Sequence, residues 1–207
     1  MRKKKKFEKQ VQLIFVFMAI LIAAIFLSYW FSREIKQFNY AGLEFEKVKI
    51  GSLVLYQTKF PLRDVTGDIA KYMPFYFRED PRKLKGMQVE GNIRLKTNVA
   101  IAANADIVEK CPDSILSGTS LALYLNNLGI TSFGATTNKT EAEEYKRNYV
   151  NCNNTEKYSI LIFQNGNESK IKKEGDCYML YVKNCEIMNV TERFMIGVYA
   201  HSMGREI

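Results

Sequence analysis

The chain has 207 residues, with 30 basic, 22 acidic and one histidine, for a net charge of +8. Six basic residues and one acidic residue fall in the first ten, so the remainder carries 24 and 21 and a net of only +3. This balance excludes a basic nucleic-acid-binding face, and the four prolines exclude an extended stalk.

Behind the tail Arg2, Lys3, Lys4, Lys5, Lys6 and Lys9 no residue from Gln10 to Ser32 is charged, a run of 23. Roughly 20 apolar residues in a helix cross a bilayer core. Tyr29 and Trp30 stand at its outer end, where amphipathic aromatics favour the headgroup level. The lysine-rich flank orients the N-terminus toward the cytoplasm. A cleaved signal peptide has a shorter apolar core and a small-x-small site. Phe26-Leu27-Ser28-Tyr29-Trp30 offers no such site. The expected organisation is a cytoplasmic tail (1–10), a transmembrane anchor (11–32), a juxtamembrane link (33–42) and one extracytoplasmic α+β domain (43–207). The partner expected for 11–32 is the lipid bilayer, and the localisation is the cell membrane, single-pass.

The outer part begins with a predicted hairpin, Leu43–Ile50 and Leu53–Phe60, around Gly51-Ser52. Leu43 and Phe45 share one face, whereas Val48 and Ile50 share the other. A bulge or a change of cover would explain the switch. Pro61 is expected to stop the pairing. Tyr72, Phe75, Tyr76 and Phe77 surround Pro74, which demotes 71–78 to an edge strand or an irregular segment. With Arg82, Lys83 and Lys85, the residues Tyr72, Phe75 and Tyr76 form a candidate patch for a protein or cell-surface partner. Met87–Leu95 alternates apolar and polar residues and reads as a half-buried strand, followed by a shorter one over Val99–Ala103.

In the second half, Asp113 or Ser114 caps a helix to about Leu128, with Gly129 placed to end it. Ile130–Ala135 reads as a strand. Thr140-Glu141-Ala142-Glu143 fits a capping box opening a helix to about Val150. Tyr158–Gln164 reads as a buried strand, Asn165-Gly166 as a hairpin turn returning through 168–172, and Cys177–Val182 as another strand. At the end, a helical turn over 187–193 is expected to give way to a strand to about His201. Phe194, Ile196, Val198 and Ala200 alternate, and Gly197 costs a helix interior about 1 kcal/mol.

Cys111, Cys152, Cys177 and Cys185 all follow the anchor, where disulfides are permitted. The expected pairs are Cys111–Cys152 and Cys177–Cys185. No C-x-x-C pair points to zinc, and no metal site is expected. Asn138, Asn153, Asn167 and Asn189 each begin an N-x-Ser/Thr glycosylation acceptor. If all four carry glycans, the partner-facing surface should lie in the first half.

Tyr56 with Lys59-Phe60-Pro61, Asp80-Pro81-Arg82-Lys83-Leu84, Cys177-Tyr178 with Asn184-Cys185, and Thr191-Glu192-Arg193-Phe194 resemble uncharacterised archaeal membrane-anchored proteins. The resemblance covers most of the outer domain. It implies an outside domain bearing sequons and disulfides, and carries no activity with it.

Chemistry is sparse. His201 is the single histidine, so any histidine-dependent triad would have to use it. Asp64, Asp68, Asp80, Asp106 and Glu109 are the acids a carboxylate-dependent hydrolase would draw on. Cys111 opens a helix, where a thiolate would be favoured. No Walker, dinucleotide, H-E-x-x-H or EF-hand motif is present, so no cofactor is expected. The pattern favours a binding or assembly module over a surface hydrolase or thiol oxidoreductase.

Overall fold

The computed structural model describes residues 14–28, 30, 36–63, 66, 69–153 and 155–204. Helix α1 covers residues 14–28, and all 15 of its side chains are exposed. Among the described residues no helix is long and apolar enough to cross a membrane. The expected anchor runs over 11–32, so its two ends lie partly outside the described residues. The tail 1–10 and the acids Asp64 and Asp68 lie outside them entirely.

The first half is a four-stranded antiparallel meander: β1 (Gln37–Tyr40), β2 (Leu43–Ile50), β3 (Leu53–Arg63) and β4 (Ile69–Phe77). Residues 37–40, expected to be link, are therefore its first edge strand. The β2–β3 register runs unbroken from Phe45↔Thr58 to Ile50↔Leu53, so no bulge causes the face switch. Pro61 does not stop pairing; it opposes Tyr72. Pro74 sits on β4, the other edge of the meander, where a missing N–H leaves no ladder bond unmade.

The second half builds a seven-stranded sheet. Its strands are β5 (Val89–Glu90), β6 (Asn98–Ala103), β7 (Thr131–Thr136), β8 (Asn148–Tyr149), β9 (Ser159–Asn165), β10 (Lys170–Glu174) and β11 (Cys177–Val182). They lie in the order β5-β10-β11-β9-β6-β7-β8. The run from β11 through β9, β6 and β7 to β8 is parallel. Ser159, Ile160, Leu161, Ile162 and Phe163 are all buried, as a central parallel strand covered on both faces requires. The Asn165-Gly166 turn does reverse the chain, but β10 pairs with β11 and not with β9.

Two sequence expectations fail here for local reasons. Met87–Leu95 is not a long strand; only Val89 and Glu90 pair. Gly91 takes φ +89°, and the Tyr178 hydroxyl both accepts from Arg94 N–H at 2.9 Å and donates to the Arg94 carbonyl. A side chain has replaced the ladder, while Ile93 still reaches the core. The tail is not a strand either. Ile187–Ser202 is a single 16-residue helix, α5. Every residue from Val190 to Ala200 is buried, so the helix has no polar stripe to betray its period.

The other helices are α2 (Ala105–Lys110), α3 (Ser114–Asn127) and α4 (Lys139–Glu144). α3 starts after Asp113 as expected, but Asp113 makes no side-chain capping bond and pairs with Arg78 instead; Gly129 follows the helix at φ +79°. α4 is shorter than expected, and its cap is the Asn138 side chain, which accepts from Thr140 N–H and Glu141 N–H. β8 occupies the chain that the longer helix would have used.

The core lies between the two sheets. Phe60 of β3 packs edge-on against Tyr124 of α3 and Tyr199 of α5, each at 5.1 Å between ring centroids. Phe75 joins them at 5.5 Å from Tyr124, whose hydroxyl donates to the Met195 carbonyl at 2.8 Å. Val99, Leu161, Phe163, Tyr178 and Leu180 supply the large sheet's side of this cluster. Its opposite face carries a smaller cluster, Ala100, Ala102, Ile160 and Ile162 with Val150 and Cys177.

The cysteines form two disulfides, paired differently from the expectation: Cys111–Cys185 and Cys152–Cys177, with Cα separations of 5.2 and 5.4 Å. Cys177 opens β11 and Cys185 lies beyond its end. The five strand steps from Cys177 to Val182 already span about 17 Å, far outside the reach of a disulfide. The first bridge ties the α2–α3 junction to the approach to α5. The second fastens the chain after β8 onto the large sheet.

Candidate ligand-binding cleft

A cleft of about 860 Å³ runs along β7 and reaches the carboxyl ends of β6 and β7. In open parallel sheets this is where ligands are received, because loops and helix ends converge there. Its floor is formed by Ile101–Ala103 and Ser132–Thr136. One wall is a face of α3: Ile115, Gly118, Thr119, Ala122 and Asn126, at the three- and four-residue spacing that aligns side chains on a helix. Opposite stand Thr140, Glu141, Glu144 and Tyr145 of α4 and the turn after it.

Small residues keep the cleft open. A Cβ added at Gly118 or Gly134 would meet nothing within 4 Å. The rim is mixed: Ile115 is 75% exposed, with Val108 and Tyr145 exposed beside it, and Glu109, Glu144 and Arg147 are exposed among them. The polar lining is held in place. Asn126 Oδ1 accepts from Ser132 N–H at 2.9 Å and from the Ser132 hydroxyl at 3.1 Å. The Thr136 hydroxyl donates to Glu141 Oε2 at 2.9 Å, and Arg147 donates to Glu141 Oε1 at 3.0 Å. Glu141 therefore presents an oriented carboxylate at the floor. Glu109, Glu141 and Glu144 outnumber Arg147 in the lining.

The aromatic and basic patch expected over 72–85 is not one surface. Tyr72 and Tyr76 point to the outer face of the meander, whereas Phe75 lies in the core. Arg82 stacks over the Phe38 ring at 4.0 Å and pairs with Asp80 at 2.6 Å, on the core side of that sheet. This pairing holds the Asp80 carboxyl below its usual range. Lys83 and Lys85 are exposed on a 3-10 turn (Lys83–Gly86).

Among the described residues the named acids do not converge: Asp80 pairs with Arg82, Asp106 pairs with Lys110 at 2.9 Å, and Glu109 alone of the three lines the cleft. His201 Nε2 accepts from Arg94 Nε at 3.1 Å. Among the described residues no group of three His, Cys, Asp or Glu side chains is placed to hold a metal ion.

Asn138, Asn153 and Asn167 are exposed. Asn189 is half-buried in the first turn of α5, and its sequon threonine, Thr191, is fully buried with its hydroxyl donating to the Ile187 carbonyl. Asn138 lines the cleft itself. Sequence reasoning missed the cleft because its members come from β6, α2, α3, β7, α4, β9 and α5. The local signals were Gly118, out of place within a helix, and Ile115, carried outward on the surface of α3.

Comparison with protein-family models, with curated proteins and with solved structures found no match.

Proposed function

We propose that this chain is a single-pass membrane-anchored binding module whose extracytoplasmic domain takes its ligand in the cleft between α3 and α4. The cleft is the observation that carries the reading. Its place against the parallel strands β6 and β7 and the exposed apolar side chains Val108, Ile115 and Tyr145 at its rim favour binding, and so do its oriented polar groups and the glycines that keep it open. With three carboxylates against one guanidinium, the lining favours a neutral or positively charged ligand over an anion. The anchor rests on the uncharged run 10–32, the basic tail before it, and the exposed apolar side chains of α1. Two disulfides support an oxidising, extracytoplasmic setting.

The test is photo-crosslinking in native membranes. A photoreactive residue replacing Ile115 should give a discrete adduct, and one replacing Tyr76 on the outer face of the meander should not. Adding Gly118→Leu, which fills the cleft, should abolish the adduct. Equal labelling from both positions, or an adduct unaffected by Gly118→Leu, would remove the cleft from the proposal.

A further inference from the structure

The β2–β3 hairpin is longer than the sheet that carries it. β1 begins at Gln37, opposite Glu46, and β4 ends at Phe77, opposite Tyr56. Beyond those levels the pairs Val48↔Leu55, Lys49↔Val54 and Ile50↔Leu53 form a two-stranded arm, and among the described residues no further strand lies on either side. An isolated two-stranded hairpin is marginal in water and needs a surface to lie on.

The arm has two unlike faces. Partners directly opposite in an antiparallel pair project to the same side, so Val48, Ile50, Leu53 and Leu55 form one wholly apolar face. Ile50 and Leu53 are 54% and 52% exposed. The other face carries Lys47 and Lys49, both exposed, with Val54 and Tyr56. An apolar face backed by lysines is the profile of an element lying in a lipid interface, with chains beneath and headgroups beside the ammonium groups.

Chain direction aims the arm. β1 and β2 are antiparallel, so the amino end of β1 and the Gly51-Ser52 turn point the same way. The chain arrives from α1 at that end. The arm projects four residues past the level of Gln37, about 14 Å at the rise of a strand. From Trp30 to Gln37 are seven residues, which span about 10 Å as helix and about 24 Å extended. A connection spanning about 14 Å or less, which lies within these limits, would bring the tip to the surface in which Trp30 would sit.

We infer that the β2–β3 arm is a second membrane contact, laying Val48, Ile50, Leu53 and Leu55 on the outer leaflet of the bilayer that holds α1 and fixing the domain's tilt on it. This rests on the anchored reading above. The test uses the full chain in vesicles of phosphatidylcholine and phosphatidylglycerol, with or without brominated acyl chains. Trp30→Phe removes the native indole, and Leu53→Trp then reports from the tip. Tyr72→Trp, on the same sheet face but at the far end of β4, is the control. The indole at position 53 should emit at shorter wavelength than the control and be quenched by the brominated lipid, whereas the control should not be quenched. Water-like, unquenched emission at position 53 from chain that floats with the vesicles overturns the inference and leaves the anchor standing. A blue shift without quenching means contact with protein, such as a second copy, and also overturns it. Chain that fails to float overturns the anchored reading and this inference with it.

Discussion

Glu192 is where a single side chain does most for the tertiary structure. It is 2% exposed, and its carboxyl accepts from Arg78 N–H at 2.5 Å and Glu79 N–H at 3.0 Å. Those two donors lie where β4 leaves the meander, so one side chain ties α5 to that junction. Removing it in Glu192→Ala takes the acceptor from two part-buried N–H donors, and the expected cost is about 1–3 kcal/mol by denaturant unfolding. Burial pushes this carboxyl up to about 8, against the pull of its two N–H donors. A raised acid pKa means that the folded state keeps a proton the unfolded state has lost. Stability should therefore be fullest below the unfolded value of 4.5, fall as pH rises toward 8, and level off above it. The slope from this one group is at most about 1.4 kcal/mol per pH unit. Unfolding free energies of the native chain and Glu192→Gln across that range should diverge in pH dependence, with the variant flatter. Parallel curves would mean that Glu192 is ionised in the fold. Arg193, its neighbour, is buried with Nη1 unpaired, and burial lowers its pKa.

Among the elements, the two disulfides divide the work unequally. Cys111–Cys185 closes 74 positions and Cys152–Cys177 closes 25. Loop-closure entropy gives roughly 4.5 and 3.5 kcal/mol. Replacing Cys111 and Cys185 by serine should therefore lower stability by about 1 kcal/mol more than replacing Cys152 and Cys177. Equal or reversed losses in thermal unfolding would point to the packing around Cys152 and Cys177 as the larger contribution. α3 offers a second case. Gly118 lies inside a helix and open space lies over it, so Gly118→Ala should add up to about 1 kcal/mol in the same measurement. Destabilisation instead would mean that the backbone needs the glycine.

At the scale of the whole molecule, the two sheets share one core and present different surfaces. The large sheet and its helices offer the cleft, and the meander carries the arm and the connection to α1. If the chain is anchored as proposed, protease added to intact cells should remove the domain and spare the first ten residues. Digestion of the tail in intact cells would reverse the orientation. Glycan mapping bears on the same arrangement. Asn153 and Asn167 stand on exposed loops, whereas Asn189 relies on a buried threonine and should stay unmodified in folded chain. A glycan on Asn138 would stand in the cleft. A ligand taken in the cleft would contact the second half, whereas the placement of the sequons points partner contacts to the first.

Local patterns decided a good part of this protein before any tertiary contact. The β2–β3 hairpin, β6, the bounds of α3, and strands β7, β9 and β11 follow from alternation, caps and turn residues, which act between near neighbours. The exposed, uncharged α1 and the presence of cysteines suited to pairing are equally local. What the tertiary structure alone decided is everything that depends on residues far apart. Cysteine partners follow from which strand ends meet, so the six-residue span of β11 overruled nearness in sequence. α5 is a helix because both sheets bury it, which erased the polar stripe its period needed. Met87–Leu95 gave up its ladder to a tyrosine hydroxyl 84 positions away. The cleft takes members from seven elements, and the exposed arm is defined by where β1 and β4 end. Burial and strand order are properties of the assembled sheets, and no window of sequence contains them.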